Sequence, residues 1–204
     1  MLPEMTVATE LSKADGKKRL LIIAEGFEAR SLSWISSQPE INLFDSTLLC
    51  RYSPEEKGKL EAVLSEVCKR SKGKARILQY NRFDPTPFEQ IIEDLKEEIL
   101  RFDEIVVDIS VMSKMLIMII LHALVDYSGS LKIVYTEPKT WGPSEEACKK
   151  YIKEYGNDHS SIGLSSIGVF DIVRTPRLSS IIMQDCQSML ITFTTSNEHL
   201  VNVY

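Results

Sequence analysis

Asp108, Ser110, Ser113 and Lys114 fall within one seven-residue stretch, Asp108-Ile109-Ser110-Val111-Met112-Ser113-Lys114. A carboxylate, two hydroxyls and an ammonium spaced in this way can meet an anion if the stretch is a turn entering a helix. The amides at a helix N-terminus would then join them. A lysine in a first helical turn is opposed by the helix dipole. Lys114 therefore calls for an anionic partner, either a bound phosphate or a carboxylate such as Asp108 or Glu25. Asp108 and Ser110 can also simply cap the helix.

A second set is acidic. Glu25 and Glu28 stand around Gly26, and Glu137 follows Thr136. Carboxylates so placed can act as general acid and base, hold Mg²⁺, or contact ribose hydroxyls. Glu25, Glu28, Asp108 and Glu137 are the catalytic candidates. Gly26, Ser53, Asp108, Ser110, Ser113, Lys114 and Thr136 are the ligand-binding candidates. No cofactor is implied, and Mg²⁺ is the metal the carboxylates would suit. His159 and His199 lack zinc spacing. The first turn carries one glycine and two acids where an NAD or FAD site has Gly-x-Gly-x-x-Gly. No Walker lysine loop and no Gly-x-Ser-x-Gly elbow is present.

These residues must be positioned by the elements around them. Apolar runs without alternation mark strands covered on both faces: Arg19–Ala24, Thr47–Tyr52, Ala75–Tyr80, Glu104–Asp108 and Leu131–Tyr135. Between them lie helical patterns. The first ends near Ser37. The second opens at Ser53-Pro54-Glu55-Glu56, which reads as a capping box with proline at the first position, and runs to about Ser71. The third, Phe88–Arg101, is amphipathic. The fourth follows Lys114, is apolar on nearly every face, and is expected to be deeply buried. Strand–helix alternation with short connections predicts an α/β fold, a doubly wound parallel sheet of Rossmann-like type in the order 3-2-1-4-5. In such a sheet ligands collect beyond the carboxyl ends of the strands, where all the candidates fall.

Residues 1–18 read as a flexible N-terminus, 19–138 as the Rossmann-like domain, and 139–204 as a C-terminal extension. In the extension Glu145–Tyr155 reads as a charged helix, and Met189–Thr194 with Leu200–Tyr204 as an edge hairpin. The chain has 204 residues, 44% hydrophobic and 26% charged, with net charge -5. That balance excludes a broad electrostatic grip on duplex nucleic acid. No apolar run is long enough to span a bilayer. Four scattered cysteines without a Cys-x-x-Cys pair fit buried thiols in a cytoplasmic protein better than a disulfide framework.

The strand-four turn resembles that of the CRISPR-associated Rossmann-fold (CARF) domains, which sense cyclic oligoadenylates. Their turn reads Asp-x-Thr-Gly-Gly-Thr-Lys before an apolar helix. Here Asp108 and Lys114 are kept, both hydroxyl positions are serine, and the length is equal. The resemblance runs from about Arg19 to Glu137. It implies that Ser110, Ser113 and Lys114 meet ligand phosphates and that the protein is a homodimer. It also implies a nucleotide-sensing regulatory role in a prokaryotic defence or stress system, with an effector protein as partner. Val111 and Met112 replace the two glycines, which limits how closely the backbone can approach a phosphate. The alternative from the acidic residues is a nucleotide-processing hydrolase or glycosidase. Several carboxylates converging on one cleft would favour it, and a lysine with hydroxyls would favour phosphate binding.

Overall fold

The computed structural model describes residue 11, residues 16–26, 30–54 and 60–137, and residues 146, 149, 150 and 153. The chain divides into two compact units, Met1–Val173 and Arg174–Tyr204. All described residues belong to the first. The expected terminal hairpin lies outside them. Within the expected charged helix, Glu146, Lys149, Lys150 and Lys153 are helical and exposed.

The element order is β1 (Arg19–Ala24), α1 (Arg30–Ser37), β2 (Ser46–Ser53), α2 (Leu60–Cys68), β3 (Arg76–Asn81), α3 (Thr86–Ile99), β4 (Glu104–Asp108), α4 (Lys114–Ala123) and β5 (Ser130–Val134). The strands form one parallel sheet in the order β3-β2-β1-β4-β5, the predicted Rossmann-like α/β topology. Strand bounds agree with the sequence reading to within a residue. Ser53 closes β2 and Pro54 lies in a bend after a cis Ser53–Pro54 bond, so Pro54 is not the first helical residue. The rest of the expected start, 55–59, lies outside the described residues, and the helix is described from Leu60.

Two cores cover the sheet. Leu20, Ile22, Ala24, Ile105 and Val107 pack with Phe88, Ile92, Leu95 and Ile99 of α3 and Leu116, Ile119 and Ile120 of α4. Leu21, Ile23, Leu49 and Val106 pack with Trp34 and Ile35 of α1 and Val63 and Val67 of α2. Both faces of β1 and β4 are thus sealed, which accounts for their unbroken apolar character. Only one stripe of α4 is sealed, however. Met118 is 48% exposed and Val125, just beyond the helix, 69%. An all-apolar helix was expected to be buried all round, yet the sheet covers only the side it meets. Among the described residues no helix is long and apolar enough to cross a membrane. Cys50 and Cys68 are both free, the first buried and the second exposed.

Charge is buried at the end of the sheet where β1 and β4 begin. The Arg19 guanidinium donates to Glu104 Oε2 from Nε at 3.0 Å and from Nη2 at 2.8 Å. Lys132 Nζ lies 2.5 Å from Glu104 Oε1. Burial pushes the Glu104 carboxyl up, but its bonds to Lys132 and Arg19 outweigh this and hold it below its ordinary value of 4.5. Elsewhere Arg70, also buried, donates to the Ser36 and Gln38 carbonyls, closing the end of α1.

Glu104→Gln should lower stability at neutral pH by about 3 kcal/mol, because Arg19 stays buried without its counter-charge. A group with a depressed folded pKa contributes stability above its unfolded value and loses it as pH falls through the folded one. The gap between wild type and Glu104→Gln in urea melts should therefore be full above pH 4.5 and close on further acidification. A gap independent of pH would mean that packing, not charge, is lost.

Candidate functional site

Side chains along a strand point alternately to opposite faces, and this sorts the residues at the carboxyl edge. In β1, Ile22 and Ala24 face α3 and α4, while Ile23 faces α1 and α2. Glu25, one residue further on, falls on the α1/α2 side. By the same alternation Arg51, Ser53 and Asp108 fall there too, whereas Tyr52 and Tyr80 belong to the α3/α4 side. The sequence-predicted residues therefore occupy two places instead of one cleft.

On the α1/α2 side, Asp108 is 2% exposed. Its Oδ1 accepts the Ser110 amide at 3.0 Å and the Ser110 hydroxyl at 2.5 Å. Its Oδ2 has no hydrogen-bond partner among the described residues. Burial raises the Asp108 carboxyl, against the Ser110 bonds and the Arg30 charge, which pull it down. Ser110 Oγ in turn accepts the Thr136 amide at 2.8 Å. This chain latches the β4 turn to the end of β5, and it uses the Ser110 hydroxyl as both donor and acceptor. Glu25 is buried with Arg51 Nε 3.6 Å from its Oε1. Arg30 lies over the Tyr135 ring, 5.9 Å from its centroid. Glu137 is exposed, and Glu28 lies outside the described residues. Among the described residues no three potential ligands cluster to hold a metal ion.

The two places are separated by a plug. A Cβ built on Gly26 would stand 2.8 Å from Val111 Cβ, closer than such atoms approach. Gly26 is needed because Val111 rests on it. Met112 is buried in the α3/α4 core. The two residues that stand where glycines were expected thus serve packing.

On the α3/α4 side the turn is held by Tyr52. Its hydroxyl accepts the Ser113 amide at 2.6 Å and donates to the Val111 carbonyl at 3.2 Å. Burial pushes this phenol up to about 12, so it remains a donor at any ordinary pH. Tyr52, Tyr80 and Phe88 stack edge to face, with centroids 5.5 and 5.2 Å apart. Ser113 caps α4, accepting the Leu116 amide at 3.3 Å, and its Oγ lies 3.5 Å from the Tyr80 hydroxyl. The next two amides, of Lys114 and Met115, donate to no acceptor among the described residues. Lys114 is exposed and forms no ion pair with them. Glu25 is engaged by Arg51, and Asp108 lies on the other face.

Neither a known protein family nor a curated protein matches the chain. The local geometry also includes residues that sequence reading passed over. Tyr52 was legible only as a strand end, and neither Arg51 nor Arg30 was assigned a contact. Glu89, buried in the first turn of α3, was not singled out. Its one sequence signal was its place beside the apolar stripe of Phe88 and Ile92.

Two outcomes follow from the packing. Gly26→Ala should destabilise by about 1–3 kcal/mol through overpacking, and that cost should be largely absent when Val111→Gly removes the Cβ it meets, which a double-mutant cycle of melts measures. Asp108→Asn should match or exceed wild-type stability at neutral pH. A raised carboxyl contributes its proton-linked stability below the unfolded value of 3.8 and loses it as pH rises through the folded value. The variant's advantage should vanish in acid, and a variant that melts lower at neutral pH would mean that the charge is needed.

Proposed function

We propose that this chain is a regulatory domain that senses a phosphate-bearing, nucleotide-type ligand at the N-terminus of α4. In this reading it works as a homodimer in a prokaryotic defence or stress system and passes the signal to an effector protein. One observation carries the reading. At the start of α4 two successive amides and the Lys114 ammonium have no protein acceptor or counter-charge among the described residues. A cation placed against the helix dipole is unfavourable unless an anion joins it, and a phosphate uses all three donors together. The turn from Asp108 to Lys114, similar to that of the CARF domains, supports the same ligand class. Dimerisation is supported by apolar surface: Leu131 and Ile133 of β5 and Tyr135 just beyond it are each between 39% and 49% exposed. Surface of that kind marks interaction sites.

A nucleotide-processing hydrolase or glycosidase is the second reading. The raised Asp108 carboxyl favours it, since a group that holds its proton can serve as general acid. Its enclosure by Ser110 and the end of β5 weighs against it.

The test is a thermal-shift screen of the full chain with cyclic oligonucleotides, NAD and nucleoside phosphates, because a ligand of the folded state raises the melting temperature. Lys114→Ala should then weaken the identified ligand about ten- to hundred-fold, the loss expected for a charge-assisted bond. Its own melting temperature should stay that of wild type, since the ammonium is exposed. Unchanged affinity in Lys114→Ala would reject the phosphate role.

A further inference from the structure

β5 ends the sheet among the described residues, with β4 as its one partner there. The Ser130 amide donates to the Asp103 carbonyl, the Val134 carbonyl accepts the Ile109 amide, and the Thr136 amide donates to Ser110 Oγ. Even-numbered residues thus turn their peptide groups toward β4, and alternate residues of a strand turn theirs the other way. Leu131, Ile133 and Tyr135 therefore aim N–H and C=O out of the sheet. These groups have no hydrogen-bond partner among the described residues.

An open edge is a template for another strand, and proteins commonly guard it with charge, proline or a bulge. β5 has no proline, and its one charge, Lys132, is drawn onto Glu104. The opposite edge, β3, instead exposes Arg76, Gln79 and Asn81 beside Ile77. The apolar side chains of β5 add to the difference. Leu131 stands beside Ile105 and Ile133 beside Val107. Ile105 and Val107 pack under α4, so Leu131 and Ile133 continue the same face outward past the helix. They are 39% and 49% exposed, and Met118 of α4 is 48% exposed.

We infer that two copies of this chain join through β5, antiparallel about a two-fold axis at Ile133, so that their sheets become one continuous sheet. The inference rests on the dimer proposed above and names its surface. Pairing about Ile133 sets that residue against its counterpart and Leu131 against Tyr135, so the outward peptide groups of all three are satisfied in both copies. Lys132 then falls opposite Val134. With the axis at Lys132 instead, two like charges would stand directly opposite, which is unfavourable, and Tyr135 would meet Gly129.

A second copy suits this edge better than a lone peptide strand. A specific interface covers about 800 Å² a side, more than a three-residue edge offers. The two-fold runs perpendicular to the joined sheet, so α4 of each copy lies on the same face, one on either side of the joint. The exposed sides of both helices then add to the contact, which a single strand could not cover.

The experiment measures the mass of the full chain by light scattering at about 50 μM, well above the dissociation constant of a specific dimer. Wild type should have the mass of two chains. Ile133→Lys should have the mass of one, with an unchanged circular-dichroism spectrum. A cross-link tests the register independently, and decides the matter should Ile133→Lys fail to fold. Paired α-carbons of this kind stand about 5.5 Å apart, within disulfide reach. In a background carrying Cys68→Ser, Cys148→Ser and Cys186→Ser, Ile133→Cys should therefore link two chains on air oxidation with copper–phenanthroline. The background alone and Leu131→Cys should not. A wild-type dimer that persists in Ile133→Lys, an Ile133→Cys that stays unlinked, or linkage through Leu131→Cys overturns the inference and leaves the dimer to another surface. A wild type with the mass of one chain removes the dimer reading as well, while nucleotide binding at Lys114 is judged by its own titration.

Discussion

β1 is buried along its whole length and paired on both edges, with β2 on one side and β4 on the other. A buried backbone group left unpaired is costly, so both neighbours are obligatory, and as parallel strands they need crossovers. Right-handed crossovers send the chain to one face of the sheet on going from β1 to β2 and to the opposite face on going from β4 to β5. The connections leaving β1 and β4 therefore diverge at the carboxyl edge. In open sheets that divergence opens the crevice where ligands sit. Here Val111 fills it by resting on Gly26. The usual binding position is closed by packing, and the uncommitted donors lie to one side, at the start of α4.

The pleat then decides which chemistries can cooperate. Neighbouring residues at a strand end sit on opposite faces, so Arg51 joins Glu25 while Tyr52 joins Ser113. On the acidic side Glu25 meets Arg51 and the Ser110–Thr136 latch holds Asp108 Oδ1, while Asp108 Oδ2 has no hydrogen-bond partner among the described residues. The other side keeps two amides without an acceptor and the exposed ammonium. Which groups are already engaged distinguishes the two functional readings better than a count of charged residues at the edge, because an engaged group must break a bond before it can meet a ligand.

Strand order and bounds were legible in the sequence because continuous apolar runs leave few alternatives once crossover handedness is applied. Arg19–Ala24 and Glu104–Asp108 stand as read. Pro54 was misplaced at the first helical position because Ser-Pro-Glu-Glu satisfies a capping pattern locally, while pairing with Asn81 holds Ser53 in the strand and Pro54 lies in a bend. The edge residues were legible as a set but not in their grouping. One residue of register separates the two faces, and only the cores fix which residue goes where.

The turn from Asp108 to Lys114 carries both structure and chemistry, and the division of labour within it is sharp. Asp108 and Ser110 tie it to β5, Val111 to Gly26, Met112 to the core, and the Ser113 amide to Tyr52. Each of these contacts removes freedom that a glycine-rich phosphate turn would have. A turn made rigid in this way cannot wrap a polyanion, but it presents the next two amides in a fixed arrangement, so that only the exposed Lys114 side chain would lose freedom when an anion arrives. Replacing glycines by Val111 and Met112 thus exchanges reach for preorganisation. Under the proposed phosphate reading, that exchange suits a compact ligand met at one phosphate and not a long one laid along the backbone.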